Sequence, residues 1–132
     1  MPKTVLAVDD RKGTLMLYEV CFRNSANYQL FTENNPINAF HVIDRKAREG
    51  TSIDLLITDL NMPELSGFDL IRNARAVSPQ TRFMLCSGIE KSEAERLLGS
   101  LRAEGIEVRY LPPSYLWNTN KLLREVKSLI GE

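Results

Sequence analysis

The sequence predicts an α/β fold in which helices cover both faces of a five-stranded parallel sheet. Five short segments with strand character alternate along the 132 residues with five segments whose apolar residues have helical spacing. Strands and helices in alternation form parallel sheets with right-handed crossovers. No internal repeat, low-complexity tract or linker interrupts the alternation. We therefore expect one domain over residues 1–132.

The composition is typical of a soluble domain with an adequate core. Acidic and basic side chains number 17 each, and 43% of the residues are hydrophobic. This neutral balance argues against nucleic-acid binding through the phosphate backbone. No apolar run approaches the roughly 20 residues that cross a bilayer, and the amino terminus lacks a signal-peptide pattern. Cys21 and Cys86 form no CxxC pair. We therefore expect free thiols and a cytoplasmic location without membrane contact.

The first half of the chain is predicted to contain two strands and two helices. Residues 4–8 and 28–32 have strand character, and residues 13–22 have apolar side chains at helical spacing. Asn35 is a favourable N-cap for the second helix, and Pro36 suits its first position. The apolar face of this helix is expected to carry Ile37, Phe40, Ile43 and Ala47.

The third strand is the most informative stretch of the chain. A short apolar run, made of Ile53, Leu55, Leu56 and Ile57, suits a strand covered on both faces, and Asp59 stands at its end. A buried parallel strand delivers its last residue to the carboxyl edge of the sheet, where open α/β folds place their ligand crevices. Residues 61–67 break the strand and are typical of a loop. We therefore expect a carboxylate held rigidly beneath this loop.

The rest of the chain is predicted to contain two more strands and three more helices. The predicted elements include a third helix over residues 68–76, a fourth strand over 82–86 and a fifth strand over 108–111. Pro112-Pro113 ends the fifth strand. Ser92 and Glu95 have the spacing of a capping box, which predicts that Ser92 caps the fourth helix. The last helix is amphipathic, with apolar residues Leu122, Leu123, Val126, Leu129 and Ile130.

Polar side chains stand at the ends of three predicted strands. Asp9 and Asp10 follow the first strand, Asp59 ends the third, and Ser87 follows the fourth. Because the carboxyl ends of parallel strands meet at one edge, we expect these side chains to lie together. Three crowded carboxylates repel one another, so either one takes up a proton or a hard cation neutralises them. Mg2+ prefers such oxygen ligands, and a carboxylate beside it can attack a phosphoryl group to form an aspartyl phosphate.

Three groups of residues carry a family resemblance. They are Asp9-Asp10, Asp59 with Met62-Pro63 and Gly67, and Ser87-Gly88. The order and spacing of these groups resemble those of the receiver domain of two-component response regulators. The resemblance covers essentially the whole chain. The resemblance implies a flavodoxin-like (βα)5 three-layer sandwich with strand order 2-1-3-4-5. It also implies that the domain is a signalling switch more than an enzyme. Such a switch accepts phosphate from a histidine kinase or a phosphotransfer protein.

The resemblance assigns a role to each site residue. It implies that Asp59 is the phosphoacceptor, that the Ser87 hydroxyl contacts a phosphoryl oxygen, and that Tyr110 is the aromatic switch residue. The implied cofactor is Mg2+, with ligands from Asp9, Asp10, Asp59 and the main-chain carbonyl of Asn61. The implied output surface is the fourth helix, the fifth strand and the fifth helix. The same surface is where the resemblance allows a homodimer.

One position departs from the family pattern. Receivers usually end the fifth strand with a lysine before a proline, and this chain has Pro112 before Pro113. The family's lysine pairs with the phosphoryl oxygens and the acceptor carboxylate, whereas Pro112 offers neither a charge nor a backbone donor. Lys91, Lys12 and Arg11 are the candidate substitutes. The family's peptide bond before the matched proline tends to be cis, and Pro112-Pro113 is able to keep that turn.

Two alternatives to a phosphorylated switch stay open. The missing lysine favours a pseudo-receiver adaptor that works through protein contacts without phosphorylation. The other alternative is a Mg2+-dependent phosphatase with an aspartyl nucleophile, similar to haloacid-dehalogenase-like enzymes. Such enzymes carry D-x-D after their first strand, whereas this chain has Asp59-Leu60-Asn61 after its third and lacks a cap insertion. The sequence therefore favours the receiver switch.

Overall fold

The segments predicted as strands pair into one parallel sheet in the computed structural model, which describes residues 1–131. The strands are β1 (Lys3–Val8), β2 (Tyr28–Glu33), β3 (Leu55–Thr58), β4 (Arg82–Cys86) and β5 (Val108–Leu111). The helices are α1 (Lys12–Phe22), α2 (Pro36–Arg48), α3 (Gly67–Val77), α4 (Lys91–Ala103) and α5 (Thr119–Ile130), with a 3-10 helix at Pro113–Trp117. The strand order is β2-β1-β3-β4-β5, and neighbouring strands are parallel. This confirms the predicted α/β class and the 2-1-3-4-5 order.

The two faces of the sheet are covered by different helices. Successive side chains of a strand point to opposite faces, so β1 contributes Val5 and Ala7 to one cluster and Leu6 and Val8 to the other. The first cluster includes residues of α1 and α5, namely Leu15, Tyr18, Leu122 and Val126. The second includes residues of α2, α3 and α4, namely Ile43, Leu70, Ile71 and Leu101. The domain is therefore a three-layer sandwich.

Strand β3 lies at the centre of the sheet, between β1 and β4. Leu55 of β3 pairs with Val5 of β1, and Thr58 of β3 pairs with Leu85 of β4. All four residues of β3 are fully buried. The strand begins at Leu55, two residues later than predicted, although Ile53 is buried as expected. The expectation of a strand covered on both faces is confirmed. The strand delivers Asp59 to the carboxyl edge of the sheet.

The predicted N-cap is present at the start of α2 and absent at the start of α4. The Asn35 side chain accepts hydrogen bonds from the main-chain nitrogens of Ile37 and Asn38, at 2.8 and 3.0 Å, so the predicted cap of α2 is confirmed. The predicted capping box at Ser92 was wrong. Helix α4 begins at Lys91 after Glu90 and has no side-chain cap. Because the helix starts before Ser92, this residue lies inside the first turn and cannot cap it.

The predicted apolar face of α2 included one residue that lies outside it. Ile43 and Ala39 are fully buried, whereas Ile37 is 37% exposed. Steps of three residues turn a helix by about 300° and so fall short of a full turn each time. Two such steps separate Ile37 from Ile43, which moves Ile37 off the buried face. Ala39, four residues before Ile43, takes its place.

The turn after β5 differs from the expectation drawn from the family. Within residues 1–131 there is no cis peptide bond, so the bond between Pro112 and Pro113 is trans. Pro113 begins a 3-10 helix, which ends at the exposed Trp117. In the described part of the chain, no helix has the length and apolar character that a membrane span needs.

Candidate functional site

Three carboxylates meet at the carboxyl edge of the sheet. Asp9 and Asp10 follow β1, Asp59 follows β3, and one oxygen from each side chain lies within 4.8 Å of the others. Asp9 and Asp59 are buried, with 2% and 7% of their surface exposed, whereas Asp10 is exposed. The three side chains therefore lie together, as expected for the carboxyl ends of parallel strands. Like charges this close repel one another, and a proton or a cation would relieve that repulsion.

The backbone around Asp59 holds its carboxylate in place. The main-chain nitrogen of Asp59 donates to the carbonyl of Val8 at 3.1 Å, which extends the pairing of β3 with β1 by one residue. The nitrogen of Leu60 donates to Asp59 Oδ1 at 2.8 Å. The Thr58 hydroxyl donates to the carbonyl oxygen of Asp59 at 2.8 Å. Two of these bonds fix the main chain of Asp59, and the Leu60 bond engages Oδ1. The other carboxylate oxygen, Oδ2, lies 3.9 Å from Arg11 Nη2.

The environment of Asp59 favours a neutral or paired carboxyl group. Burial is the largest influence and raises the pKa of Asp59, and the negative charge of Asp9 raises it further. Hydrogen bonds from the Leu60 nitrogen and the Ser87 side chain oppose that rise, as does the positive charge of Arg11. The carboxylate therefore gains from any additional cation placed beside it.

Arg11 spans the acidic cluster. Its main-chain nitrogen donates to Asp9 Oδ1 at 2.9 Å, and its Nε lies 3.4 Å from the same oxygen. Its Nη2 lies 3.9 Å from Asp59 Oδ2. The hydrogen bond to Asp9 raises the pKa of the Arg11 guanidinium, and the neighbouring carboxylates raise it further. One guanidinium thus contacts acids from the ends of two strands.

An open cleft of about 320 Å³ lies above these groups. Its lining includes Asp10, Arg11, Asp59, Asn61, Ser87 and Gly88. Six of the positions singled out in the sequence, including the candidate substitute Arg11, therefore surround one polar space. Ser87 is buried with 2% of its surface exposed, and it comes from the end of β4, beside β3 in the sheet.

Tyr110 stands apart from the acidic cluster and contacts the loop after β4. Its hydroxyl lies 2.8 Å from the main-chain oxygen of Ser87 and 3.1 Å from that of Ile89. Burial raises the pKa of Tyr110, so the hydroxyl keeps its proton at neutral pH. Tyr110 therefore ties β5 to the segment that carries Ser87.

The three candidate substitutes for the family's lysine occupy different places. Arg11 contacts the carboxylates, whereas Lys12 lines a separate cleft beside Met16 and Thr32. Lys91 is the exposed first residue of α4. The sequence did not single out Arg11 from the other two. The available signal was its position directly after Asp10, where the chain turns from β1 into α1.

The chain is similar to known receiver domains in sequence and in structure. Residues 5–106 match the family model described as response regulator receiver domain. Over 92 residues, 70% of this chain, the sequence is 33% identical to the autoinducer 1 sensor kinase/phosphatase LuxN of Vibrio campbellii, and it spans 10% of that relative's length.

Solved structures share the same architecture. The chemotaxis protein CheY4 of Vibrio cholerae superposes with a TM-score of 0.78 at 22% identity, covering 98% of this chain and 99% of that one. A CheY-like receiver domain protein of Methanospirillum hungatei has a TM-score of 0.76 at 21% identity, covering 97% and 93%. At these identities the structural matches establish the fold. Together with the family match over residues 5–106, they show that the chain belongs to the response regulator receiver domain family.

Proposed function

We propose that this domain is a phosphorylated switch of a two-component system. In this proposal Asp59 accepts a phosphoryl group from a histidine kinase or a phosphotransfer protein, and the domain then changes its protein contacts. The observation that carries the proposal is the acidic cluster, in which oxygens of Asp9, Asp10 and Asp59 lie within 4.8 Å of one another beside Ser87. Membership of the receiver family supports it.

Asp59 is the proposed nucleophile. The Leu60 nitrogen engages its Oδ1 at 2.8 Å, and we propose that Oδ2, which lies 3.9 Å from Arg11 Nη2, is the attacking oxygen. In the transfer, this oxygen forms a bond to phosphorus while the bond from phosphorus to the donor atom breaks, and the donor keeps the bonding electron pair. In this proposal the Ser87 hydroxyl donates its hydrogen to a phosphoryl oxygen.

The residues present fit a magnesium ion. Three carboxylate oxygens close together are the hard donors that Mg2+ prefers, and Asn61 lines the same cleft. We propose that Asp9, Asp10, Asp59 and the main-chain carbonyl of Asn61 would hold the ion. When bound, Mg2+ supplies positive charge that reduces the repulsion between the carboxylate and an anionic donor.

The proposed output is read at α4, β5 and α5. The Tyr110 hydroxyl contacts main-chain oxygens of the loop that carries Ser87. A change in that loop on phosphorylation would therefore alter the packing of Tyr110 and with it the exposed surface of β5. This surface is also the proposed site of a homodimer.

Phosphorylation is tested with a small phosphodonor. We expect the protein to gain the mass of one phosphoryl group when it is incubated with phosphoramidate and MgCl2, and to lose it in hydroxylamine. Asp59→Asn should remove the gain, and EDTA should suppress it. Asp44→Asn, which changes an α2 carboxylate paired with Arg48, is the matched control and should label normally. An unlabelled wild-type protein that is folded would contradict the proposal.

A phosphorylation-independent adaptor is the second candidate, and it is favoured by Pro112 at the lysine position. In that case Asp59→Ala would keep normal signalling in cells, since the output would come from protein contacts alone. Loss of signalling in Asp59→Ala would exclude the adaptor. The family match gives no comparable support to the phosphatase alternative, which would require turnover of phosphomonoesters with Mg2+.

A further inference from the structure

We propose that Arg11 supplies the positive charge that receivers usually take from the lysine of the fifth strand. This inference rests on the proposed phosphorylation of Asp59, and it assigns a role in that site to a residue from the opposite side of the cleft. Arg11 would be a positioning residue that pairs with Asp59 before phosphorylation and with a phosphoryl oxygen afterwards.

The first step of the argument is the geometry of the guanidinium. Its Nε lies 3.4 Å from Asp9 Oδ1, and its Nη2 lies 3.9 Å from Asp59 Oδ2. The second of these is the carboxylate oxygen that the Leu60 nitrogen does not engage. A phosphoryl group on Oδ2 would therefore form next to a positive charge that is already in ion-pair range of the acceptor.

The second step is that no other basic side chain is placed for this role. Among residues 1–131, Arg11 is the one Lys or Arg that lines the cleft above Asp59. Lys12 lines a different cleft, on the side of Met16 and Thr32. Pro112, at the position of the family's lysine, is uncharged. The structure thus separates three candidates that were equivalent in the sequence.

The third step is the freedom of the Arg11 side chain. It is 64% exposed, and Arg11 makes no side-chain hydrogen bond that caps α1. The bond from Nε to Asp9 Oδ1 anchors the side chain at the cluster, and its exposure leaves the guanidinium able to follow a negative charge that moves from the carboxylate to the phosphoryl oxygens. A guanidinium presents several donors in one plane and matches phosphate oxygens well. Arg11 can thus replace an ammonium that would approach from β5.

The test compares four variants with the wild-type protein. They are Arg11→Ala, Arg11→Lys, the double variant Arg11→Ala with Pro112→Lys, and Lys91→Ala as the matched control for loss of a nearby positive charge. Two quantities are measured, namely the labelling rate with phosphoramidate and MgCl2 by intact-protein mass, and the binding of beryllium fluoride, a non-covalent phosphoryl mimic, by fluorine NMR. Circular dichroism and melting curves check that each variant is folded.

We expect Arg11→Ala to lower the labelling rate and the affinity for beryllium fluoride by about tenfold or more, the scale for losing one hydrogen bond to a charged group. Arg11→Lys should keep much of both, because it keeps the charge. The added lysine in the double variant should restore part of the loss, since it returns the charge from the β5 side. Lys91→Ala should behave like the wild-type protein.

Each other result would overturn the inference. If folded Arg11→Ala labels and binds the mimic as the wild-type protein does, phosphorylation of Asp59 stands and the role of Arg11 is wrong. If Arg11→Ala loses both properties and neither lysine variant recovers any of them, Arg11 has a structural role. If the wild-type protein itself neither labels nor binds the mimic, the proposed function fails, and this inference fails with it.

Discussion

Gly67 and Asp59 are in contact through their main chains. A Cβ built on Gly67 would lie 2.0 Å from the carbonyl oxygen of Asp59 and 2.9 Å from its carbonyl carbon. The nitrogen of Gly67 also donates to the carbonyl of Leu60 at 2.8 Å. The first residue of α3 is therefore packed against the backbone that holds the proposed acceptor, at a distance only glycine allows.

Gly67→Ala should destabilise the domain and disturb the site together. The added methyl group meets main-chain atoms that can move only if Asp59 moves, and overpacking of this kind costs about 1–3 kcal/mol. We expect a lower urea midpoint and slower phosphorylation. Gly99→Ala is the control, because a Cβ there would meet nothing within 4 Å and Ala in a helix is favoured by about 0.5–1 kcal/mol. Equal urea midpoints for Gly67→Ala and the wild-type protein would contradict the close contact between Gly67 and the Asp59 carbonyl.

Asp59→Asn should stabilise the metal-free protein at neutral pH. Burial raises the pKa of Asp59 in the folded state, so folding opposes ionisation of this group, and the penalty is present above the folded pKa. The penalty fades as the pH falls through that value and is absent below the ordinary value of 3.8. Melting curves in EDTA should show a gain for the variant at pH 7 that shrinks on acidification. A gain that grows toward low pH would reverse the expected sign.

Mg2+ should stabilise the wild-type protein by binding the acidic cluster. At a concentration ten times the dissociation constant, a ligand that binds only the folded state adds about 1.4 kcal/mol. Asp9→Asn should reduce this response, because it removes one of the three carboxylates. Asp69→Asn, which changes an exposed acid in the first turn of α3, should keep it. A Mg2+-induced rise in melting temperature that survives Asp9→Asn would place the ion elsewhere.

Tyr110→Phe should loosen the loop between β4 and α4. The variant keeps the ring and removes the hydroxyl that contacts the main-chain oxygens of Ser87 and Ile89, a loss of about 1 kcal/mol. Hydrogen exchange of residues 87–90 should become faster than in the wild-type protein. Tyr115→Phe, which keeps the ring that lies under Lys121, is the matched control. Unchanged exchange in Tyr110→Phe would show that the hydroxyl does not hold the loop.

The parallel sheet and the acids at its edge were predictable from the pattern of the sequence, whereas the strand order followed from the family resemblance. Alternating elements dictate a parallel sheet, and the acids at the ends of β1 and β3 could only meet at its carboxyl edge. Choices that depend on side-chain direction were less predictable. Ser92 fits a capping box, yet α4 starts at Lys91, and Ile37 falls outside the buried face by its helical angle.

The role inferred for Arg11 shows the same limit at the site. Arg11 and Lys12 follow Asp10 directly in the sequence, and Lys91 stands four residues after Ser87. Only the path of the backbone out of β1 directs the Arg11 side chain across Asp9 toward Asp59 and turns Lys12 to the other side of α1. The spacing of residues in the sequence does not give side-chain direction, because neighbouring residues at the beginning of a helix point in different directions.

The exposed Trp117 has a practical consequence for work on this protein. It is the single tryptophan of the chain, and it lies in the 3-10 helix that follows β5, at the edge of the sheet where Asp59 also lies. Indole emission depends on contact with water, so a macromolecule that covers this edge would change the emission wavelength and intensity of the intrinsic fluorescence. Binding of a protein at this edge would therefore be measurable by the intrinsic fluorescence of the unlabelled domain.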